Sequence, residues 1–172
     1  MSKLEVFFDY ACPYCLQGHQ NLLDILPDFP DTEVIWRPCE SHPRPERYGM
    51  HSDLLIQGMF FAQDSGADLW AYHERAYRLI LKDRANAEDI DTLAVGFAGL
   101  LNPEALHGAL KNGKYIKIQR DANRYAFTES GVWVVPAYRM NGLRLDSVEN
   151  IGVTKDRLKK FLQRAMSSAI PL

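Results

Sequence analysis

The segment Cys12-Pro13-Tyr14-Cys15 constrains this chain most, because it sits where one periodic pattern gives way to another. Before it, Leu4 to Phe8 is a short apolar, aromatic-rich run ending at Asp9, the pattern of a buried strand. After it, Leu16, Leu22, Leu23 and Leu26 recur mostly at helical spacing until Pro27 stops the segment. Val34-Ile35-Trp36, closed by Pro38, is the next strand. A strand–helix–strand unit of this length predicts two parallel, neighbouring strands with the cysteines at a helix start.

That position carries chemistry. Disulfide exchange needs a thiolate, and a free cysteine with a pKa of about 8.5 is mostly protonated at neutral pH. A helix N-terminus offers unpaired N–H groups and about half a positive charge to an anion. Pro13 suits the first turn because it has no N–H to leave unsatisfied. The spacing puts both sulfurs on one side of that turn. Cys12, at the tip, is expected to be exposed and nucleophilic; Cys15, one turn in, is expected to be shielded and to resolve. Half of a zinc site is the competing reading. No second Cys-x-x-Cys exists, and Cys39, His19 and His42 match no zinc pattern. A chance pair of core cysteines is the other, and the strand before and helix after argue against it.

The rest of the chain completes an order of elements. Residues 41 to 51 hold Pro43, Pro45 and Gly49 and read as a loop. From Ser52 to about Thr128 the pattern is helical: Leu69, His73, Ala76, Tyr77 and Ile80 form one stripe, and Ile90, Leu93, Ala94, Phe97 and Leu101 another. Asn102-Pro103-Glu104 is an N-cap with proline at the first helical position. Four or five short helices are expected here. Strand character returns at Trp133 to Met140, then Asn141-Gly142, then Leu143 to Leu145, a strong hairpin signal. Thr154 can cap a last amphipathic helix carrying Leu158, Phe161, Leu162 and Ala165. Proline opening a core strand at Val135-Pro136 is unusual, since it cannot donate to the ladder. A trans proline at a strand edge is the ordinary explanation; beside the cysteine motif, a cis bond freeing the backbone of Val135 toward a ligand is the preferred one.

Together these segments resemble the DsbA-like thioredoxin family. The resemblance rests on the strand, the Cys-Pro-Tyr-Cys helix start and the Gly131-Val-Trp-Val-Val-Pro136-Ala-Tyr segment, and it covers essentially the whole chain. Asp9-Tyr10-Ala11 and Trp36-Arg37-Pro38 resemble the FrnE branch. The resemblance implies an α/β thioredoxin-like fold (β-α-β, then β-β-α), with residues 1–50 and 129–172 forming the thioredoxin-like domain and 51–128 an inserted helical domain. It implies a sheet of four or five strands with the helical block over the active-site edge. It implies dithiol–disulfide exchange with Cys12 as nucleophile, Cys15 as resolver and Pro136 as a cis-proline, and Pro13, Tyr14, Val135 and Pro136 contacting substrate. Two departures stand out. Tyr14 replaces the histidine of periplasmic DsbA enzymes, which suggests a milder potential, and Asp146-Ser147-Val148-Glu149-Asn150 replaces a Gly-Ala-Gln segment frequent in the FrnE branch.

Lesser candidates follow from position. Cys39 follows the second strand and is expected on the active-site edge, as an acceptor of a disulfide or of glutathione, or as a buried small hydrophobe. Asp9 could relay a proton or be a solvated turn residue; His19 could tune the thiols or lie on the helix surface. Phe60, Phe61, Trp70, Tyr72 and His73 read chiefly as packed helix residues.

Composition bounds the partners. The chain has 172 residues, 47% hydrophobic and 24% charged, with net charge -2 and three cysteines. That balance gives no support for nucleic-acid or membrane-surface binding, and no run is long enough for a membrane span. Glu5 and Asp9 break any signal-like stretch, so a cytoplasmic location is expected. The expected partners are disulfide- or thiol-containing proteins or small molecules, with no metal and no bound cofactor beyond glutathione as co-substrate. The rival enzyme is a kappa-class glutathione transferase or 2-hydroxychromene-2-carboxylate isomerase, which usually has serine for Cys12 and lacks Cys15. The non-enzyme rival is a binding module with a structural disulfide.

Overall fold

The structure is a computed structural model and describes residues 1–168. Strand β1 (Ser2–Phe8) leads through Asp9 to Cys12 into helix α1 (Pro13–Ile25), and β2 (Thr32–Pro38) returns parallel to β1. Five helices follow: α2 (Asp53–Asp64), α3 (Leu69–Tyr77), α4 (Ile90–Gly96), α5 (Pro103–Lys111) and α6 (Ile116–Arg124). Wider π-type turns extend α3 over Arg78–Lys82 and α6 over Tyr125–Glu129. The hairpin β3 (Ala137–Met140) and β4 (Leu143–Asp146) and helix α7 (Lys155–Ser168) close the chain. The sheet has four strands in the order β2-β1-β3-β4, with β3 antiparallel to β1.

Local chemistry explains where elements begin. Asp68, Asp89 and Asn102 each accept a backbone N–H at 2.9 Å at the starts of α3, α4 and α5, the first-turn donors that a helix leaves orphaned. Thr154 does the same for α7 at 3.3 Å. Asn141 and Gly142 take φ of 49° and 76°, the pair of left-handed residues that a tight hairpin turn requires. Strand β3 is shorter than its apolar run suggests. Ladder pairing to β1 begins at Ala137 opposite Phe7. The residue before it, Pro136, has no N–H to extend the ladder, and Trp133 to Val135 form an open segment instead.

Alternation along the strands sorts the side chains. Leu4, Val6 and Phe8 face α1, α7 and the helical block, while Phe7 faces the opposite side with Cys39, Ala126, Val132 and Ala137. The main core runs without interruption from the sheet through Leu22 and Ile25 of α1, and Leu158 and Leu162 of α7, into Leu55, Met59, Tyr72 and Leu106 of the helical block. Each such side chain contributes roughly 1.5–3 kcal/mol. The helices between β2 and β3 therefore share the core that carries α1.

Candidate functional site

Cys12 is the N-cap residue of α1, in extended conformation, with Pro13 at the first helical position. Its carbonyl accepts from the amides of Cys15 (3.1 Å) and Leu16 (3.2 Å), and its own amide donates to Asp9 (3.1 Å). The chain thus turns sharply from β1 into the helix and leaves the Cys12 side chain half-buried at the tip. Cys15 is buried, at 2% exposure. The Cys12 thiol is held below its ordinary pKa, chiefly by a hydrogen bond from the Cys15 thiol, then against burial by the amides of Cys15 and Tyr14. Burial pushes Cys15 well up, and the bond it gives to Cys12 raises it further. One thiol is thereby set to ionise and the other to keep its proton.

Opposite the tip, the Val135–Pro136 bond is cis, and the Cys12 thiol lies 3.8 Å from the carbonyl oxygen of Val135. Two residues that sequence reasoning passed over hold this approach. Gly18, on the second turn of α1, faces Tyr138 and Pro136 so closely that a Cβ there would lie 2.6 Å from the Tyr138 hydroxyl and 3.3 Å from Pro136 Cγ. Ser147 donates its hydroxyl to the carbonyl of Pro136 at 2.6 Å. The close approach of a helical glycine to a proline 118 positions later leaves no mark in local sequence; Ser147 lay in a segment noted only as a departure. Tyr14 is 40% exposed and packs its ring against Gly152.

The lesser candidates resolve differently from expectation. Asp9 is buried, where a solvated turn was the commoner reading: its carboxylate accepts from Ala11 N (2.9 Å), Ser41 N (2.7 Å) and Ser52 Oγ (2.6 Å), tying the motif loop to the loop after β2 and the start of α2. Its own amide points at Cys15 Sγ, 3.5 Å away. His19 is buried too, where a helix-surface histidine was expected, because α3 covers that face of α1. It packs among Trp36, Trp70, His73 and Tyr77. Burial pulls its pKa down to about 4. His73, also driven down by burial and then by the charge of His19, accepts or donates through Nδ1 to Tyr10 Oη at 2.8 Å. Cys39 lies on the active-site edge, its amide bonded to Phe8 O at 2.8 Å, fully buried among apolar side chains. Burial raises its pKa, as do the charges of Asp9 and Cys12, so the thiol stays protonated and unreactive at neutral pH. Tyr72 is core, and Trp70 is half-buried against Trp36. Among the described residues no group of three or more His, Cys, Asp or Glu is placed to hold a metal ion.

A thioredoxin-like sheet that carries an asymmetric Cys-x-x-Cys pair at a helix start defines the class: a DsbA-like thiol–disulfide oxidoreductase. Residues 3–164 match the model of the DSBA-like thioredoxin domain, and the chain belongs to that family. Solved structures agree on the fold. A probable DsbA oxidoreductase, SCO1869 from Streptomyces coelicolor, superposes with a TM-score of 0.83 at 17% identity, covering 100% of this chain and 93% of its own. The cytosolic disulfide reductase DsbM from Pseudomonas aeruginosa with GSH gives 0.71 at 15% identity, over 96% and 99% of the two chains. Among curated proteins, the uncharacterized protein YwbO of Bacillus subtilis (strain 168) is 24% identical over 175 residues, 78% of this chain and 84% of that protein. Among the described residues no helix is long and apolar enough to cross a membrane.

Proposed function

We propose that this protein exchanges disulfides through Cys12, with Cys15 as the resolving thiol. The observation that carries the reading is the opposed setting of the pair: Cys12 pulled toward ionisation at the helix tip, Cys15 buried and held protonated behind it. In the reductive direction the Cys12 thiolate attacks one sulfur of a substrate disulfide. A mixed disulfide forms and the other substrate sulfur leaves as a thiolate, which takes up a proton. Cys15 then loses its proton and attacks Cys12 Sγ, and the second substrate sulfur leaves as a thiolate that takes up a proton in turn. Two electrons and two protons have passed to the substrate and the enzyme is left with a Cys12–Cys15 disulfide. Oxidation of a dithiol is the same path reversed. The Val135 carbonyl, which faces the Cys12 thiol at 3.8 Å, is where an extended substrate would pair and hold its disulfide in line.

The reductive direction in the cytoplasm, with glutathione returning the enzyme to its dithiol, fits best. It is supported by Tyr14 in place of a histidine, which leaves the thiolate without a neighbouring cation, and by the likeness to DsbM. Cys15 argues against a glutathione transferase or isomerase, which needs no resolving thiol. The test combines two measurements on the reduced protein. Iodoacetamide alkylation against pH should show Cys12 reacting below the pH at which a free cysteine does, with Cys15 silent. Cys12→Ser should lose reduction of glutathione disulfide altogether, by more than a thousandfold, while Cys15→Ser should accumulate a glutathione mixed disulfide on Cys12, seen by mass spectrometry. A Cys12 that titrates like a free thiol, or a Cys12→Ser variant that still turns over, would overturn the reading.

A further inference from the structure

The register of the sheet gathers charge on the face turned away from α1. Cross-strand partners share a face. Glu5 pairs with Arg139, and Arg139 with Arg144, so one row across β1, β3 and β4 reads Glu-Arg-Arg. The next row holds Arg37, Phe7, Ala137 and Asp146. Lys3 lies two residues back from Glu5 on the same face of β1. The π-type turn after α6 covers only the end of this face, with Tyr125 stacked 6.1 Å from Phe7. Beyond it a cavity of about 520 Å³ lies open, walled by Lys3, Glu5, Arg37, Arg139, Arg144 and the Asn141-Gly142 turn.

The charges in and around this cavity do not balance. Both carboxylates are already engaged. Glu5 accepts from Arg37 Nε at 2.8 Å and from Tyr125 Oη at 2.6 Å. Asp146 is shared between Arg139 Nη1 at 2.8 Å and Arg144 Nη2 at 2.8 Å. Two guanidinium groups facing each other across a strand pair thus divide a single carboxylate, an arrangement that like charges oppose. Arg139 is largely buried, with 15% of its side chain exposed, and its Nη2 is a buried donor with no acceptor. Lys3 is exposed and forms no ion pair among the described residues. Lys3, Arg37, Arg139 and Arg144 against Glu5, Asp146 and Glu33, the exposed cross-strand partner of Lys3, leave one positive charge in excess, in a chain whose net charge is -2.

We propose that this open face of the sheet is a second ligand site, which binds a small molecule bearing phosphate or carboxylate groups. An anion seated between Lys3 and the Arg139–Arg144 pair supplies the missing counter-charge. Arg144 spends Nε and Nη2 on Asp146, so its Nη1 and the Lys3 ammonium are the donors left to an oxyanion, as charge-assisted contacts, with Arg139 adding its charge from behind. The volume falls in the range of small-molecule pockets, and the partly buried Arg139 strengthens the interaction by excluding water. The site lies toward the N-terminal end of β1, while Cys12 follows the C-terminal end of that strand, so it is separate from the dithiol.

The test titrates inorganic pyrophosphate into the reduced full-length protein, at ionic strength held constant with sodium chloride. Calorimetry gives the affinity and amide NMR shifts give the location. Saturable binding with shifts clustered at Lys3, Arg139, Gly142 and Arg144 is the expected result. Arg144→Gln, which leaves the Arg139–Asp146 pair intact, should weaken it about tenfold or more, the loss of one charge-assisted contact. Lys3→Gln, on an exposed side chain, should weaken it less and serves if Arg144→Gln fails to fold. Hexaglutamate separates the sources: binding of that peptide with none of pyrophosphate would overturn the small-molecule assignment. A linear response matched by chloride alone, or an affinity unchanged in both variants, would overturn the site itself. Cys12 alkylation should be the same in Arg144→Gln as in the wild type, so failure here and failure of the exchange mechanism are read separately.

Discussion

The rim and the floor of the dithiol site are one helical turn apart and are built from opposite materials. The rim consists of backbone and small or half-exposed residues: the N-terminus of α1, Pro13, Tyr14 and the Val135–Pro136 segment facing Cys12 Sγ at 3.8 Å. The floor beneath Cys15 is aromatic and closed, with Tyr10, Tyr77 and Tyr138 fully or nearly fully buried and His19 and His73 packed among them. Charge is welcome at the rim, where amides are unpaired, and excluded at the floor, where nothing hydrates it. The same burial that raises Cys15 also raises Tyr10, Tyr77 and Tyr138 and lowers both histidines. Two chemically identical thiols therefore differ because one projects from a turn and the other into a packed layer.

The largest effect separating the regions should come with acid. His19 titrates at 6.5 in a free chain and at about 4 in the fold, so the unfolded chain binds its proton more readily. Stability should hold above pH about 6.5, fall as the pH drops from there, and have lost this contribution below about 4. At about 1.4 kcal/mol per pH unit the drop amounts to about 3 kcal/mol. His73 is lowered for the same reason and adds to the slope in the same direction. Urea unfolding from pH 7 to 4 measures it, and His19→Phe should reduce the slope, leaving the share that His73 contributes. A wild-type curve that is already flat would mean that the floor admits charge and is not what it is described to be.

Gly18→Ala asks whether rim and floor are coupled. The added methyl group would meet Tyr138 of the floor at 2.6 Å and Pro136 of the rim at 3.3 Å. Overpacking of this kind costs about 1–3 kcal/mol. If the strain is relieved by moving Pro136, exchange should slow by about tenfold, since small misplacements of a positioning segment are amplified in rate. Urea unfolding and glutathione disulfide reduction read the two effects separately. Lost stability with an unchanged rate would show that the floor absorbs the methyl group and that the rim stands alone.

How much of this was legible in the sequence follows the same division. The rim was, since a helix-start Cys-x-x-Cys and a proline at the first helical position are local signals, and local signals depend on residues a few positions apart. The order of elements along the chain, β-α-β, a helical block, then β-β-α, was legible for the same reason. The floor was not. His19 is four residues after Cys15 and three before Leu22, on the stripe that α1 buries, but a polar side chain there reads as a surface residue until α3 lies across α1 and encloses it. Asp9 reads as a turn residue until the loops carrying Ser41 and Ser52 close over it. Strand β3 read as longer than it is because apolar character continues through Trp133 to Val135, while pairing stops where Pro136 has no N–H to give.

The smallest effect tests the rim alone. Tyr14 lies between the cysteines, is 40% exposed, and makes its close contact with Gly152 rather than with the buried layer. Tyr14→His should leave the global stability within about 0.5 kcal/mol, as a half-exposed substitution away from the core does. Below its own pKa the imidazole brings a positive charge next to the Cys12 sulfur, which favours the thiolate. The Cys12 pKa, followed by thiolate absorbance against pH, should fall further by up to about one unit. A more stable thiolate favours the reduced dithiol, so the pair should become more oxidising, as read by equilibration with glutathione buffers. Cys15 should not change, because its shift comes first from burial, which Tyr14 does not touch. If Cys15 moved instead, or if the protein lost more than about 1 kcal/mol, Tyr14 would belong to the floor, and the two thiols would owe their difference to something other than the boundary between an amide-lined tip and a packed aromatic layer.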